Sequence, residues 1–340
     1  MGNDENILAL RNVAIGYPTT KRENNVLFNN INLSARKGEL IALIGKNGIG
    51  KSTLLRNIAG LQNILDGEVL LLDKKIQSFR RKEFARLVSF VSTEIVNVSN
   101  LKVFDLVALG RFPHTNWLGK LQTKDIQQSL SAIEMVGMKP FVNKNVNEIS
   151  DGERQRVMIA RTLAQDTQII VLDEPTAFLD LPNKYELIHL LNQLSKKENK
   201  TVFFSTHDLN IAIQEADKIW LMLDDEIVEG APEDLILNNI LNRIFKKSNL
   251  SFDRVKGDFS INRSHAKKIG VVGSGLSYNW TKKALERLNY TIDKGNTSIN
   301  HIEINHQNNN NLNWKFKSEN GTFVFESIYE LSLFLKLQTK

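Results

Sequence analysis

The sequence predicts an α/β fold built on a parallel sheet, and three observations predict it. Residues 41–44, 169–172 and 201–205 are short runs that are apolar without alternation, as strands buried on both faces must be. Each run is followed at once by glycine or polar residues: Gly45 to Ser52, Asp173-Glu174, and Thr206-His207-Asp208. Helical patterns lie between the runs. In open α/β sheets, ligands bind outside the carboxyl ends of the strands, so three distant segments converge on one predicted site.

The whole chain sets the limits. Its 340 residues are enough for one large domain and a small one, and 41% hydrophobic against 24% charged content suits a packed globular core. No apolar run reaches the roughly 18–20 residues needed to cross a bilayer. The first ten residues are acidic and amide-rich, unlike a secretory signal. The chain contains no cysteine, which excludes disulfides and thiolate chemistry. Of the net charge of +6, residues 251–340 contribute +5, with thirteen Lys and Arg against eight Asp and Glu. A basic excess of that size reads first as a solvated face.

In chain order, 7–14 and 27–33 are expected as strands of an antiparallel subdomain, with Tyr17 on a turn between them placed to stack on a base. After strand 41–44, Gly45, Gly50, Lys51 and Ser52 fit the spacing G-x-x-x-x-G-K-[ST] before an amphipathic helix with Leu54, Leu55 and Ile58. Glycines let backbone N–H groups turn around phosphate oxygens, and the helix N-terminus points its positive end at the same anion. Lys51 is expected on the β- and γ-phosphates, the Ser52 hydroxyl on Mg²⁺, and the Thr53 hydroxyl on the α-phosphate. This stretch predicts a nucleoside triphosphate.

Strands are expected over 67–72 and 88–92, with the basic segment 79–86 between them and Thr93-Glu94 following. Helices are expected over 103–109 and around Ile126, Leu130 and Ile133, the latter closed by Gly137 with Pro140 beyond it. Ser150 with Glu153 three residues on is a capping box that starts a helix running to about Ala164. The strand ends then supply the remaining chemistry of phosphoryl transfer. Asp173 is expected to hold Mg²⁺ with Ser52, Glu174 to act as general base toward water, and His207 to donate to the γ-phosphate.

With these segments in hand, the chain resembles the ATP-binding cassette (ABC) ATPases over about residues 5–245. The glycine loop, the 149–155 signature, the 169–174 strand with its acids, the Ala177-Phe178-Leu179-Asp180 loop and His207 occur in that family's order. The resemblance implies a P-loop cassette with an antiparallel β subdomain and a helical subdomain over about 95–165. It implies ATP and Mg²⁺ as cofactors and adds Asn47 and Gly48 to the ATP-binding loop. It also implies a head-to-tail homodimer, in which Ser150, Asp151, Gly152 and Glu153 face the ATP of the partner cassette and Asp180 lies on the dimer loop. Tyr17 takes the adenine-stacking place.

The segment 107–114, VALGRFPH, and the Asn116-Trp117-Leu118-Gly119 after it look like those of iron–siderophore, haem and cobalamin importer ATPases. That resemblance implies separate integral membrane permease subunits, an associated substrate-binding protein, no nucleic-acid partner, and a peripheral position on the cytoplasmic face of the cell membrane. Two departures stand out. Asp151 occupies a position where the family usually has Gly, and its carboxylate is expected to point away from the triphosphate. Where the family usually has a metal-sensing Gln after strand 88–92, this chain has Thr93 and Glu94, either of which is a candidate for that role.

The competing functions are an ABC exporter and a DNA- or ribosome-linked ABC ATPase. The chain lacks the long coiled coil of the DNA-repair type and the second cassette of the translation type. Domains are expected at 1–250 for the cassette, 251–263 for a linker, and 264–340 for a small α/β or α+β accessory domain. That domain is expected to carry strands at 267–272, 299–304 and 322–325 and helices at 278–288 and 328–337. A polyasparagine loop is expected at 308–311.

Overall fold

A computed structural model describes residues 6–18, 24–92, 100–117, 119–246, 248–255, 257–261, 267–293, 300–306 and 312–338. Thr93, Glu94, Leu118 and the polyasparagine loop lie outside the described residues. The chain forms two units, Met1–Lys246 and Lys247–Lys340.

In the first unit, β1 (Asn6–Tyr17) and β2 (Asn25–Arg36) pair antiparallel and are followed by β3 (Leu40–Gly45) and α1 (Lys51–Ile58). Then come β4 (Asp66–Leu71), β5 (Lys74–Lys75), the short α2 (Arg81–Phe84) and β6 (Val88–Val91). The helical part contains α3 (Val103–Ala108), a 3-10 turn over Leu109–His114, α4 (Thr123–Met135) and α5 (Asp151–Ala164). The chain returns to the sheet with β7 (Ile169–Leu172), α6 (Leu181–Glu198), β8 (Thr201–Ser205), α7 (Leu209–Glu215), β9 (Lys218–Met222), β10 (Ile227–Gly230) and α8 (Pro232–Leu237).

Two sheets result. The order β2-β1-β4-β5 is antiparallel throughout, and β10-β9-β3-β8-β7-β6 is parallel except for its edge strand β10. The strands β3, β7 and β8 are buried along their whole length, which is why they read as unbroken apolar runs. Alternate residues face opposite ways: Ile41, Leu43, Ile169, Val171 and Phe203 share a core with Leu54, Leu55 and Ile58 of α1 and with the antiparallel sheet. Phe203 and Trp220 pack there with ring centroids 5.1 Å apart. Each large apolar side chain so buried contributes about 1.5–3 kcal/mol. This core fixes the C-terminal ends of β3, β7 and β8 side by side.

The face of α4 differs from the expected one. Ile133 is buried, but Ile126 and Leu130 are exposed, and the buried positions beside Ile133 are Asp125, Ser129 and Ala132. The physical reason is Arg111, whose guanidinium occupies that face and needs a carboxylate rather than an apolar partner. Gly137 closes the helix with φ 73°, the left-handed conformation glycine adopts without strain.

The second unit holds an antiparallel hairpin of β11 (Leu250–Asp253) and β12 (Asp258–Ile261) where the sequence suggests a linker. Phe252 and Phe259 face each other across it, 5.1 Å between centroids. A five-stranded mixed sheet follows, ordered β14-β13-β15-β16-β17. Its elements are β13 (Lys267–Val272), α9 (Gly275–Arg287), β14 (Tyr290–Asp293), β15 (His301–His306), β16 (Leu312–Ser318), β17 (Gly321–Phe325) and α10 (Ile328–Leu337). Its core joins Ile269, Val271, Leu285, Ile302, Trp314, Phe316, Leu331 and Leu335. Trp280 of α9 is 56% exposed. Thr281 takes the inward place instead, because its hydroxyl accepts from the Trp314 indole N–H at 2.7 Å, a donor that burial would otherwise leave unpaired.

Candidate functional site

The glycine loop joins β3 to α1 as an unbroken strand–loop–helix. Gly50 caps α1 with φ 117° and Gly48 has φ 75°, conformations that favour glycine. Gly45 is required for space, since a Cβ there would lie 2.9 Å from Met222 Cβ. The loop therefore presents backbone N–H groups toward the helix N-terminus. Lys51 donates to the carbonyl oxygens of Gly45 at 2.9 Å and Lys46 at 3.1 Å, which folds its stem over the loop. Burial lowers the Lys51 pKa, and the negative charges of Glu174 and Asp173 act against that.

An open cleft of about 330 Å³ is lined by Tyr17, Leu27, Asn47, Gly48, Gly50, Lys51, Ser52, Thr53, Glu174 and His207. These side chains come from β1, β2, the glycine loop, the end of β7 and the end of β8. Tyr17 is 49% exposed at its rim, and its hydroxyl bonds the Thr53 hydroxyl at 2.9 Å. A hydroxyl has one donor and two acceptor sites, so Thr53 keeps capacity for a further oxygen ligand.

Asp173 is buried at the end of β7, where its Oδ1 accepts from Ser205 Oγ at 2.7 Å. The Glu174 backbone N–H donates to the same Ser205 Oγ at 2.8 Å. Glu174 has φ 46°, an uncommon backbone region for a non-glycine residue. Its Oε1 lies 2.5 Å from His207 Nε2. Ser205 is thus a residue that the sequence reading missed. A serine closing an apolar strand gives no signal of its own, although its place between the two acids is what orients them.

Ser52 and Asp173 offer one hydroxyl and one carboxylate. That donor set fits Mg²⁺, which keeps several waters and binds through one or two carboxylates together with substrate phosphates. Among the described residues, no cluster of three or more His, Asp or Glu makes a self-sufficient metal cage.

The other expected residues lie in a second cleft, of about 520 Å³, lined by Ser150, Gly152, Glu153, Arg156, Phe178, Asp180 and Asn183 among others. The Glu153 N–H donates to Ser150 Oγ at 3.3 Å, and the Glu153 carboxylate accepts from the Ser150 N–H at 2.8 Å, so the capping box is formed. Asp151 stands outside the lining and pairs with Arg154 at 3.0 Å. Its carboxylate favours the positive helix start. Asp180 caps α6, accepting from the Asn183 N–H at 3.2 Å. The chain therefore gathers the phosphate-loop residues in one cleft and the signature residues in another.

Behind α5 lies a buried ion pair, Arg111 Nε to Asp125 Oδ1 at 2.9 Å. The backbone N–H of Gln122, ahead of the Arg111 guanidinium, holds the Asp125 carboxyl below its usual pKa against the opposing effect of burial.

Comparison with known proteins gives the following. A family described as "ABC transporter" matches residues 28–177, and one described as "Iron ABC transporter C-terminal domain" matches residues 266–336. An uncharacterized ABC transporter ATP-binding protein of Methanocaldococcus jannaschii is 38% identical over 277 residues, covering 80% of this chain and 94% of that protein. A petrobactin import ATP-binding protein of Bacillus anthracis is 38% identical over 222 residues, 65% of this chain and 81% of that protein. A dimeric bacterial ABC transporter cassette superposes with a TM-score of 0.60 at 28% identity, covering 66% of this chain and 98% of that one.

Proposed function

The chain belongs to the ABC transporter ATP-binding family, and from that premise we propose that it is the ATPase subunit of an importer for iron–siderophore complexes. It is an ATPase of the cassette type. The observation that carries the substrate class is the pairing of two likenesses in one chain: a cassette similar to a petrobactin import protein and a C-terminal segment similar to iron ABC transporter C-terminal domains. Haem and cobalamin belong to the same broad class of bulky chelates, and nothing in these likenesses favours them.

The chemistry follows from the first cleft. ATP lies with its phosphates against the glycine loop, Lys51 bonding the β- and γ-phosphates and Tyr17 against the adenine. Ser52 and Asp173 hold Mg²⁺, which when bound neutralises developing charge on the phosphates. A water oxygen attacks the γ-phosphorus while the bond to the bridging oxygen breaks. Glu174 accepts the water's proton, and His207 bonds the γ-phosphate and, through Glu174, fixes the position of the base. The products are ADP and phosphate.

The second cleft supplies the partner. Its Ser150 hydroxyl and Gly152 backbone sit at a helix N-terminus, a place suited to a γ-phosphate. In the proposed pair each ATP is completed by the signature of a second copy, a reading supported by the likeness to a dimeric cassette. Among the described residues, no helix is long and apolar enough to cross a membrane. The transport path then belongs to separate permease subunits, with this chain bound peripherally on their cytoplasmic side and a substrate-binding protein delivering the chelate.

The test is uptake of radioactive ferric siderophore by cells whose own copy of this gene is deleted. Restoration by the unaltered chain and not by Glu174→Gln is expected. Uptake that never depended on the chain would count against the importer reading.

A further inference from the structure

The segment 110–114 grips the end of α5 at three carbonyl groups. Gly110 lies against the Arg161 carbonyl so closely that a Cβ there would be 2.1 Å from the oxygen. Arg111 Nη1 donates to the Ala164 carbonyl at 2.8 Å, and His114 Nε2 lies 2.8 Å from the Gln165 carbonyl. The last carbonyls of a helix have no partner within it, so this segment acts as an external cap. It is itself held from behind. Lys82 donates to the Thr115 carbonyl at 2.8 Å and Arg86 to the Pro113 carbonyl at 3.0 Å. The Gln165 side chain closes the circuit by donating to the Ala85 carbonyl at 2.6 Å, just before β6.

Arg111 and Asp125 are both buried. A buried ion pair adds little net stability over apolar residues of the same volume, so stability alone is a weak reason for this one. Its geometry supplies another. One edge of the guanidinium is fixed by Asp125 while a terminal nitrogen fixes the end of α5. The opposite end of the same helix carries Ser150, Gly152 and Glu153. A straight helix carries a shift at one end to the other.

We propose that Arg111, oriented by Asp125, is a positioning residue for ATP hydrolysis. It sets where α5 presents its N-terminal residues to the ATP of a second cassette. This rests on the two-cassette reading above. Arg111 lines neither cleft.

The test compares full-length Arg111→Lys, Arg111→Met and the double variant Arg111→Met/Asp125→Leu with the unaltered chain. Thermal midpoint, binding of a fluorescent ATP analogue, and kcat and KM for ATP are measured separately. The double variant removes both charges, so its midpoint is expected to return toward that of the unaltered chain. Analogue binding at the glycine loop stays within about twofold, while kcat falls about 10- to 100-fold, the scale of a misplaced catalytic group. Recovery of kcat together with the midpoint would overturn the proposal and leave the pair as structural filler. Should the double variant not fold, Arg111→Lys decides. A lysine ammonium lacks the guanidinium fork whose Nε and Nη1 reach Asp125 and the Ala164 carbonyl from separate atoms, so a folded, ATP-binding protein of reduced kcat is expected, and an unchanged kcat overturns the proposal. An unaltered chain that binds ATP but never hydrolyses it would overturn the proposed function as well.

Discussion

The proposed chemistry turns on Glu174, whose backbone shows a cost. A non-glycine residue at φ 46° costs on the order of 1–3 kcal/mol and here is held by the Ser205 hydroxyl bonded to its N–H. Glu174→Gln should lose roughly 10²- to 10⁴-fold in turnover while retaining ATP binding, whereas Lys51→Ala should weaken binding itself. Steady-state hydrolysis and nucleotide titration of the two variants check this, and near-normal turnover in Glu174→Gln would remove the base assignment. The meeting of Lys51, Ser52, Glu174 and His207 in one cleft was legible because polar residues follow buried strands at one edge of the sheet. Ser205 and Arg111 were not legible. Each acts through a partner brought near by the fold, and no spacing in the sequence announces that partner.

At the scale of elements, β3, β6, β7 and β8 of the parallel sheet and the start of α5 were legible, since continuous burial and a capping box are local signals, whereas β9 and β10 were not read. The apolar face of α4 was misjudged because a buried arginine recruits Asp125 to the core side. Strands β14 and β16 had no counterpart in the sequence reading. The inward face of β16 has Trp314 and Phe316 with the partly buried Leu312, and Asn313, Lys315 and Lys317 stand between and beyond them. The Arg111–Asp125 pair also gives a pH prediction. The folded-state pKa of Asp125 is depressed, so its contribution to stability is present above the unfolded carboxylate pKa and is lost as pH falls through the folded value. Asp125→Asn should therefore be destabilised by about 3–5 kcal/mol near neutrality, with the gap narrowing under acid. Urea unfolding across pH 3–7 measures it, and a gap that does not narrow would mean that the charge of Asp125 is not what stabilises.

For the whole molecule, the ABC transporter family match ends within the first unit, at residue 177, and the second unit has its own core. All nucleotide-binding candidates precede residue 247. A chain ending near Arg263 should therefore still bind ATP, with changed basal hydrolysis or changed coupling to transport. Hydrolysis and uptake equal to those of the full chain would show that the C-terminal unit regulates neither. In the proposed pair, each chain holds two half-sites and ATP joins them across the two copies. The direct measurement is the solution mass of full-length Glu174→Gln by light scattering, with and without saturating ATP. The account predicts one chain mass without nucleotide, twice that mass with ATP, and loss of the doubling when Ser150→Arg is added. A mass that stays at one chain while ATP is demonstrably bound would contradict it.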